Sequence, residues 1–550
     1  MRAAKFVRIT KFLLAGVTLF CVSWIACVSE WHPGIRWKSR EGQRSRGPAT
    51  IRTIVGYSEG KQAELERPSP VACDSLPAFP QIPHIDRSWS PTVKQQQWQP
   101  VVGTRVSLYA AYYDERTPQR YIRILATFRG RNFSSEDTLF CQTRSLSPYE
   151  ESVEVVEARP LEIWWHDWDA TTLEVDTPLL LSCPLTEPLV NPSVVSVVTQ
   201  PCDDPTNAFP LDPSQNSNKH ERNFTVCVKD MKFNRDISQN LIEWLETNKI
   251  LGLDLIDMYV DKVSKKTEDI LRHYQDKGFV RLFNVPIMHK HERSLWQRRR
   301  DHIITYNDCL YRNIIASKFV IPLDVDEIVI PKVAETLPEL VNRLESYGWS
   351  SYRYSAIMIR NIFFFDFMQG VNNYKRKNSR TENKTYVKRD DVRIKKSENL
   401  DIGEIELIND TSDVINEVID YSDTINTHHK LACGKVVPVP KLAKHIVSSA
   451  IVSPIGFYAK SLMVTKKVLT AFNHYPLASL GNAGFAGWSA PFNEVQLNHY
   501  KESCNATLLA ECPRYGRRAR IDTSALRFHR RLQSALADTL CSRPKSLRVI

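Results

Sequence analysis

The chain carries a net charge of +11, yet nowhere in its 550 residues is that charge gathered into a long lysine or arginine tract. No nucleic-acid-binding motif accompanies it. The excess therefore suits an anionic small molecule or glycan, or plain solubility, better than it suits DNA or RNA. No internal repeat is evident. Composition is otherwise that of an ordinary globular protein, with 42% hydrophobic and 25% charged residues. The length allows two or three domains and a substantial core.

Charge is also missing between Phe12 and Val28, a run flanked by Arg2, Lys5, Arg8 and Lys11 before it and Glu30 after it. Such a run reaches the lower limit for crossing a bilayer. Positive charge on the leading side keeps that end in the cytoplasm and sends the rest to the lumen. Ala26-Cys27-Val28 is a poor small-x-small cleavage site, so a retained anchor over 12–29 is favoured over a cleaved signal peptide. Ten of the twelve cysteines lie beyond the anchor: Cys73, Cys141, Cys183, Cys202, Cys227, Cys309, Cys433, Cys504, Cys512 and Cys541. That even count permits disulfides in an oxidising compartment. Sequons at Asn132, Asn223, Asn383, Asn409 and Asn505 point to the same lumenal address.

After a cytoplasmic tail (1–11) and the anchor, residues 30–100 are rich in Ser, Pro, Arg, Gly and Gln and read as a stem. Residues 101–222 carry short strands, among them Arg105 to Arg116, Tyr121 to Phe128 and Leu179 to Cys183, and read as a β-rich accessory region. From Phe224 the rhythm becomes strand, helix, strand, helix, the pattern of an α/β fold with a mostly parallel sheet. This domain is expected over 223–515, with a tail at 516–550. Residues 374–426, basic first and then acidic, interrupt it as a solvated insertion or, in a sharper reading, a lid.

Within that domain, Phe319 to Pro331 reads FVIPLDVDEIVIP: an apolar strand that runs into two aspartates. In extended backbone, side chains at i and i+2 face the same way, so Asp324 and Asp326 would aim two carboxylates at one point. Two such oxygens can hold a divalent cation that also grips a diphosphate. In open α/β sheets ligands sit beyond the carboxyl ends of the strands, where this pair falls. A second Asp-x-Asp, Asp167-Trp168-Asp169, lies in the β-rich region and reads as coincidence.

The order and spacing of several short words resemble glycosyltransferase family 92: Cys227-VKDM, Glu243-Trp244, Leu251-Gly252, Tyr259-Val260-Asp261, Asn307-Asp308-Cys309-Leu310 and Leu323-DVDE. Upstream, Tyr109-AAYYDER is similar to the segment preceding the catalytic domain in animal members. Downstream, Lys460-Ser461, Asn473-His474-Tyr475-Pro476 and Leu497-Asn498-His499-Tyr500 match the family's histidine segments. The resemblance implies a GT-A fold and a Golgi membrane protein, single-pass type II. It also implies metal-dependent inverting transfer of a hexose, typically galactose from UDP-galactose, to a glycan acceptor such as an N-glycan.

Carried over by position, Asp326 would be the direct ligand of Mn²⁺ (or Mg²⁺), with Asp324 at the ribose or reaching the metal through water. His499, in preference to His474, would complete the metal site; His428-His429 reads as a loop feature. Glu327 would orient the loop. Asp261 suits uridine or ribose binding, or else caps a turn. An inverting displacement also needs a carboxylate to take the acceptor proton, and Asp366, Asp423 and Glu494 all remain candidates. Gln297 to Arg300 could steer the diphosphate or form a solvated helix face. Phe363 to Phe365 reads as a buried strand, and Trp164-Trp165-His166 as core. Two rivals stand beside the transferase: a lumenal carbohydrate-binding or scaffolding protein that kept the fold and lost catalysis, and a glycoside hydrolase.

Overall fold

The computed structural model describes residues 69–369, 439–503 and 512–541, together with short strands at 57–58, 385–387 and 405–407. Within those spans, 93–97, 134–137, 147–150, 165–173, 187–188, 190, 212–220, 289–292 and 482–486 are not described, nor is 511. The expected anchor, Asp167 and Asp169, Trp165-His166, Asp423, His428-His429, Cys433, Cys504 and the sequons at Asn383, Asn409 and Asn505 lie outside the described residues. No helix among the described residues is long and apolar enough to cross a membrane.

The N-terminal region is β-rich, as its strand-like segments predict. A five-stranded antiparallel sheet is centred on Tyr121–Arg129, and a four-stranded one contains Phe140–Leu146 and Pro192–Val198. Period-two alternation explains how the central strand serves two cores. Ile122, Ile124, Ala126 and Phe128 face the second sheet, while Leu125, with Tyr109 and Leu180 from its neighbours, faces the C-terminal region. The Cys141–Cys183 disulfide joins the two sheets.

Three expectations about the chain's organisation need correction. The later part of the expected stem is not a spacer: Cys73 is bonded to Cys202, Ser88 bridges to Phe283, and Trp89 is buried in the central core. Isolated anchors do this without any sustained apolar period, which is why the composition reads as linker. The expected C-terminal tail is likewise folded. His529–Cys541 is a helix that buries Leu532 and Leu536, and its Thr539 donates to Glu246 at 2.7 Å. Lastly, the β-rich region is not a separate accessory body. Trp98, Tyr109, Leu125 and Trp164 share one core with Tyr259, Ile304 and Leu310 of the α/β region.

In the α/β region we label β1 (Arg222–Lys232), α1 (Ser238–Ile250), β2 (Leu255–Lys262), α2 (Lys265–Asp276), β3 (Val280–Asn284), α3 (Leu295–Asn313), β4 (Ser317–Pro322), β5 (Glu327–Pro331) and α4 (Leu337–Glu345). These are followed by β6 (Ala356–Ile359), β7 (Asn361–Phe365), β8 (Lys460–Val464), β9 (Gly487–Ser489), β10 (Val495–Lys501) and α5 (His529–Cys541). The main sheet runs β3-β2-β1-β4-β8-β6-β9, with β8 antiparallel to both of its neighbours and every other pairing parallel. A second sheet, β5-β10-β7, stands beside it. The strands form where apolar residues run unbroken, as in β4, and each of the first helices starts at a polar break. Ser264 and Ser294 cap α2 and α3 by accepting the Thr267 and Gln297 backbone N–H groups at 3.2 and 3.1 Å. The Cys227–Cys309 disulfide pins α3 to the central strand.

Candidate active site

The acidic loop joins the two sheets. β4 leaves the main sheet at Pro322, and β5 enters the second sheet at Glu327, paired with His499 on β10. The loop between them is a turn and not the extended backbone expected from the Asp-x-Asp spacing: Glu327 N–H donates to Asp324 C=O at 3.0 Å. Glu327 then folds back, its Oε2 accepting the Asp324 N–H at 2.9 Å. From α1, Trp244 fixes the start of β5 by donating its indole N–H to Glu327 C=O at 2.8 Å.

This turn sends the two aspartates toward different cations. Lys229, in the last part of β1, donates to Asp324 at 3.1 Å. Lys460, fully buried on β8, lies 3.1 Å from Glu327 Oε2 and 3.6 Å from Asp324. Both lysines also donate to Asn473 Oδ1, at 3.3 and 3.1 Å. Asp326 accepts from Lys501 at 2.9 Å and lies 3.5 Å from His499 Nε2. Burial opposes ionisation of both aspartates, but the cations outweigh it. Lys229 and Lys460 hold Asp324 well below the usual carboxylate range, and His499 with Lys501 does the same for Asp326.

The loop opens on a cavity of about 630 Å³, lined by Lys229, Asp230, Arg298, Asp324, Asp326 and Lys501 among others. Asp230 follows Lys229 with a positive φ of 26°, a strained conformation for a residue with a side chain. Its Oδ2 accepts from Arg298 at 3.0 Å and faces His302 Nε2 at 3.2 Å and Arg293 at 3.4 Å. Burial pushes the His302 imidazole down to about 4. Asp261 stands behind this group, 3.5 Å from Arg293 and 3.6 Å from Lys232. The Gln297–Arg300 run divides its labour. Gln297 receives the Asp176 N–H, Arg298 lines the cavity, and Arg300 is buried against Trp164, so the run is no solvated face.

Among the described residues no three His, Cys, Asp or Glu side chains converge as a ready-made metal cage. Two donors nevertheless fit a divalent cation. Both ring nitrogens of His499 are buried without a well-formed hydrogen bond, and Nε2 faces the Asp326 carboxylate. A carboxylate oxygen beside an imidazole nitrogen is a donor set suited to Mn²⁺, and a bound diphosphate could fill remaining positions. Asp324, braced by two lysines, is not one of the free donors.

The remaining candidates separate. His474 is not among them: half-buried, it bonds the Ala459 carbonyl through Nδ1 at 2.7 Å and Asn473 through Nε2 at 3.1 Å. Glu494 lies at the opposite end of β10 from His499, bonded to Arg343 at 3.1 Å and Tyr347 at 2.7 Å, and does not face the cavity. Asp366, just after β7, lies 2.9 Å from both Lys441 and His445, and Lys441 lines the cavity. Phe363 to Phe365 is the buried strand β7, with Phe363 stacked on His499 at 5.2 Å. Of the described sequons, Asn132 is exposed and Asn223 half-buried. Lys229, Asn473 and Lys501 went unassigned in the sequence reading. Their signal was adjacency: each belongs to, or directly follows, a word already quoted beside an acidic or histidine residue.

The model of glycosyltransferase family 92 matches residues 222–530, more than half of the chain and the α/β region just described from β1 to the start of α5. The β-1,4-galactosyltransferase galt-1 of Caenorhabditis elegans is 26% identical over 132 residues, which is 23% of this chain and 30% of that protein. That shared stretch is under a third of the relative's length, while the family match takes in the acidic loop, the lysines around it and His499. The chain belongs to glycosyltransferase family 92.

Proposed function

We propose that this protein transfers galactose from UDP-galactose to a glycan acceptor, N-glycans included, in a metal-dependent inverting reaction. We read its α/β region as a GT-A domain, held in the Golgi lumen by a single N-terminal type II anchor. Family and disulfides support a secretory-pathway protein. The sugar and linkage rest on the name of the distant relative and on the family resemblance. One observation carries the reading: Asp326, at the wall of a cavity ringed by Lys229, Arg298 and Lys501, lies 3.5 Å from His499 Nε2, an imidazole nitrogen with no well-formed hydrogen bond.

In this reading Asp326 and His499 hold Mn²⁺ (or Mg²⁺), with Asp324 near the ribose. The cation, when bound, supplies charge neutralisation on the departing diphosphate. The chain's own residues do the rest. Lys229 and Lys501 draw the diphosphate in and offset its charge. Glu327 and Lys460 keep the loop in one conformation, so that the carboxylates need no rearrangement when the donor binds. Asp261 backs the nucleoside end. Asp366 is the described candidate base whose partner reaches the cavity, and it takes the acceptor hydroxyl proton as the new bond forms.

The test is a donor screen on the full-length protein with Mn²⁺, read as product formation on a panel of glycans, beside UDP-induced thermal stabilisation. Manganese-dependent transfer from UDP-galactose, lost in Asp326→Ala, is the expected result. Manganese-dependent UDP binding with no transfer to any glycan would favour a lumenal binding protein. No UDP binding would remove the nucleotide-sugar reading.

A further inference from the structure

The strand that carries His499 has a second concentration of charge at its other end. Phe492 lies half-buried in the turn before β10, and Lys332 Nζ stands 3.6 Å from its ring centroid. The Arg360 and Arg520 guanidinium carbons each lie 5.1 Å from the same centroid. These cations arrive from three separate places: just after β5, the link between β6 and β7, and the strand Arg518–Ile521. His499 pairs with Glu327 whereas Val495 pairs with Pro331. At about 3.3 Å per residue the two ends of β10 are therefore more than 10 Å apart, roughly the width of a sheet layer.

Three half-buried cations need counter-charge, and the described residues provide little. Asp522 is the carboxylate that acts on Lys332. It is already committed: Oδ2 accepts from Gln496 at 2.9 Å and Arg520 at 3.4 Å, and Oδ1 accepts the Ser524 N–H and hydroxyl at 3.1 and 2.6 Å. Arg360 Nε is buried with no hydrogen-bond partner among the described residues. An aromatic face attracts a cation but does not neutralise it, and a buried N–H lacking an acceptor is costly. Burial, reinforced by Arg520 and Arg360 and opposed by Asp522, pushes the Lys332 ammonium down to about 8.

We propose that Lys332, Arg360 and Arg520 form an oxyanion site that takes a sulfate, phosphate or carboxylate group. Arg520 already donates through Nε to Ser448 and through Nη2 to Asp522, both at 3.4 Å; the further N–H donors of the two guanidiniums suit such groups, and a lysine supplies a compact third charge. Either a free inorganic ion or the acidic group of a glycan has this chemistry. The site lies outside the transfer cavity and does not depend on the galactosyl reading.

Titration of the full-length protein with sodium sulfate, at constant ionic strength balanced by chloride, tests it. The wild type should show saturable stabilisation. Arg360→Gln should weaken sulfate affinity at least tenfold, while Arg343→Gln, whose guanidinium pairs with Glu494, should not. An equal response in wild type and Arg360→Gln, or one that never saturates, overturns the site. Acylation of Lys332, followed by peptide mass spectrometry, needs no substitution. Sulfate should slow labelling of Lys332 saturably and leave exposed Lys318 unchanged; equal labelling with and without sulfate also overturns the site. A sulfated or uronic-acid oligosaccharide that protects Lys332 at lower concentration than inorganic sulfate identifies an acidic glycan as the ligand. Protection by the inorganic ion alone identifies the free ion.

Discussion

Asp308 and Asp326 are both carboxylates held among cations, and they differ in every respect that matters for function. Asp308 is sealed, with none of its side chain exposed. It accepts from the Tyr112 hydroxyl, the Tyr259 hydroxyl at 2.5 Å, Arg87 at 3.1 Å and Arg312 at 2.7 Å. Those partners come from the segment before the sheets, the β-rich region, β2 and α3, so the network rivets four parts of the chain together. Asp326 keeps 37% of its side chain open, has one short ion pair, and faces a histidine with no completed hydrogen bond. A saturated, sealed network stabilises the fold, whereas an unsaturated one on a cavity wall leaves binding capacity for something else. Charge clustering alone does not tell the two apart; satisfaction and access do.

The contrast can be broken most directly at Asp326. Asp326→Ala should lower transfer by about 10³-fold or more while the thermal midpoint moves by only a few degrees. Retained turnover in product-formation assays would move Asp326 to the structural side. Asp308→Ala should do the reverse. Leaving Arg87 and Arg312 without their carboxylate should cost about 3–5 kcal/mol, measured by chemical denaturation. A cost below about 1 kcal/mol would mean the network is not the rivet described.

A pH series sharpens the middle of the range. In the folded chain the His302 imidazole is pushed down to about 4, below its ordinary 6.5. The unfolded chain therefore binds the proton first, and stability falls as pH drops from about 6.5 to about 4, by at most about 1.4 kcal/mol per pH unit. Asp301, pushed up to about 6 by burial, acts oppositely, because the folded chain takes its proton first. The informative quantity is thus the difference between wild type and His302→Gln, which should grow in that window and be flat above pH 7. The smallest effect belongs to Tyr112→Phe. It removes one hydroxyl from the sealed network and should cost about 1–3 kcal/mol in the same denaturation experiment, with transfer unchanged.

Much of the α/β region was legible because its signals are local. β4 is an uninterrupted apolar run, and the strand–helix alternation that precedes it specifies a largely parallel sheet with loops at the strand ends. The acidic loop and His499 were likewise readable as a pair of words. What escaped were residues whose usual fate is different. A lysine is normally solvated, so nothing local announced that Lys460 would be fully buried beneath Asp324 and Glu327. Trp89 and the Leu532–Leu536 face of α5 pack on distant partners, and their own segments read as stem and tail.

Residue order was enough to establish the family, the position of the acidic loop at a strand end and the even supply of cysteines, because each follows from short-range periodicity or spacing. Long-range contact settled what remained. It turned Asp324 and Asp326 toward different cations, removed Glu494 to the far end of β10, merged the β-rich region with the α/β core, and gathered Lys332, Arg360 and Arg520 around one ring. These outcomes depend on which side chains meet across long stretches of chain, and on how much water remains once they have met. Neither quantity is encoded in any local window of the chain.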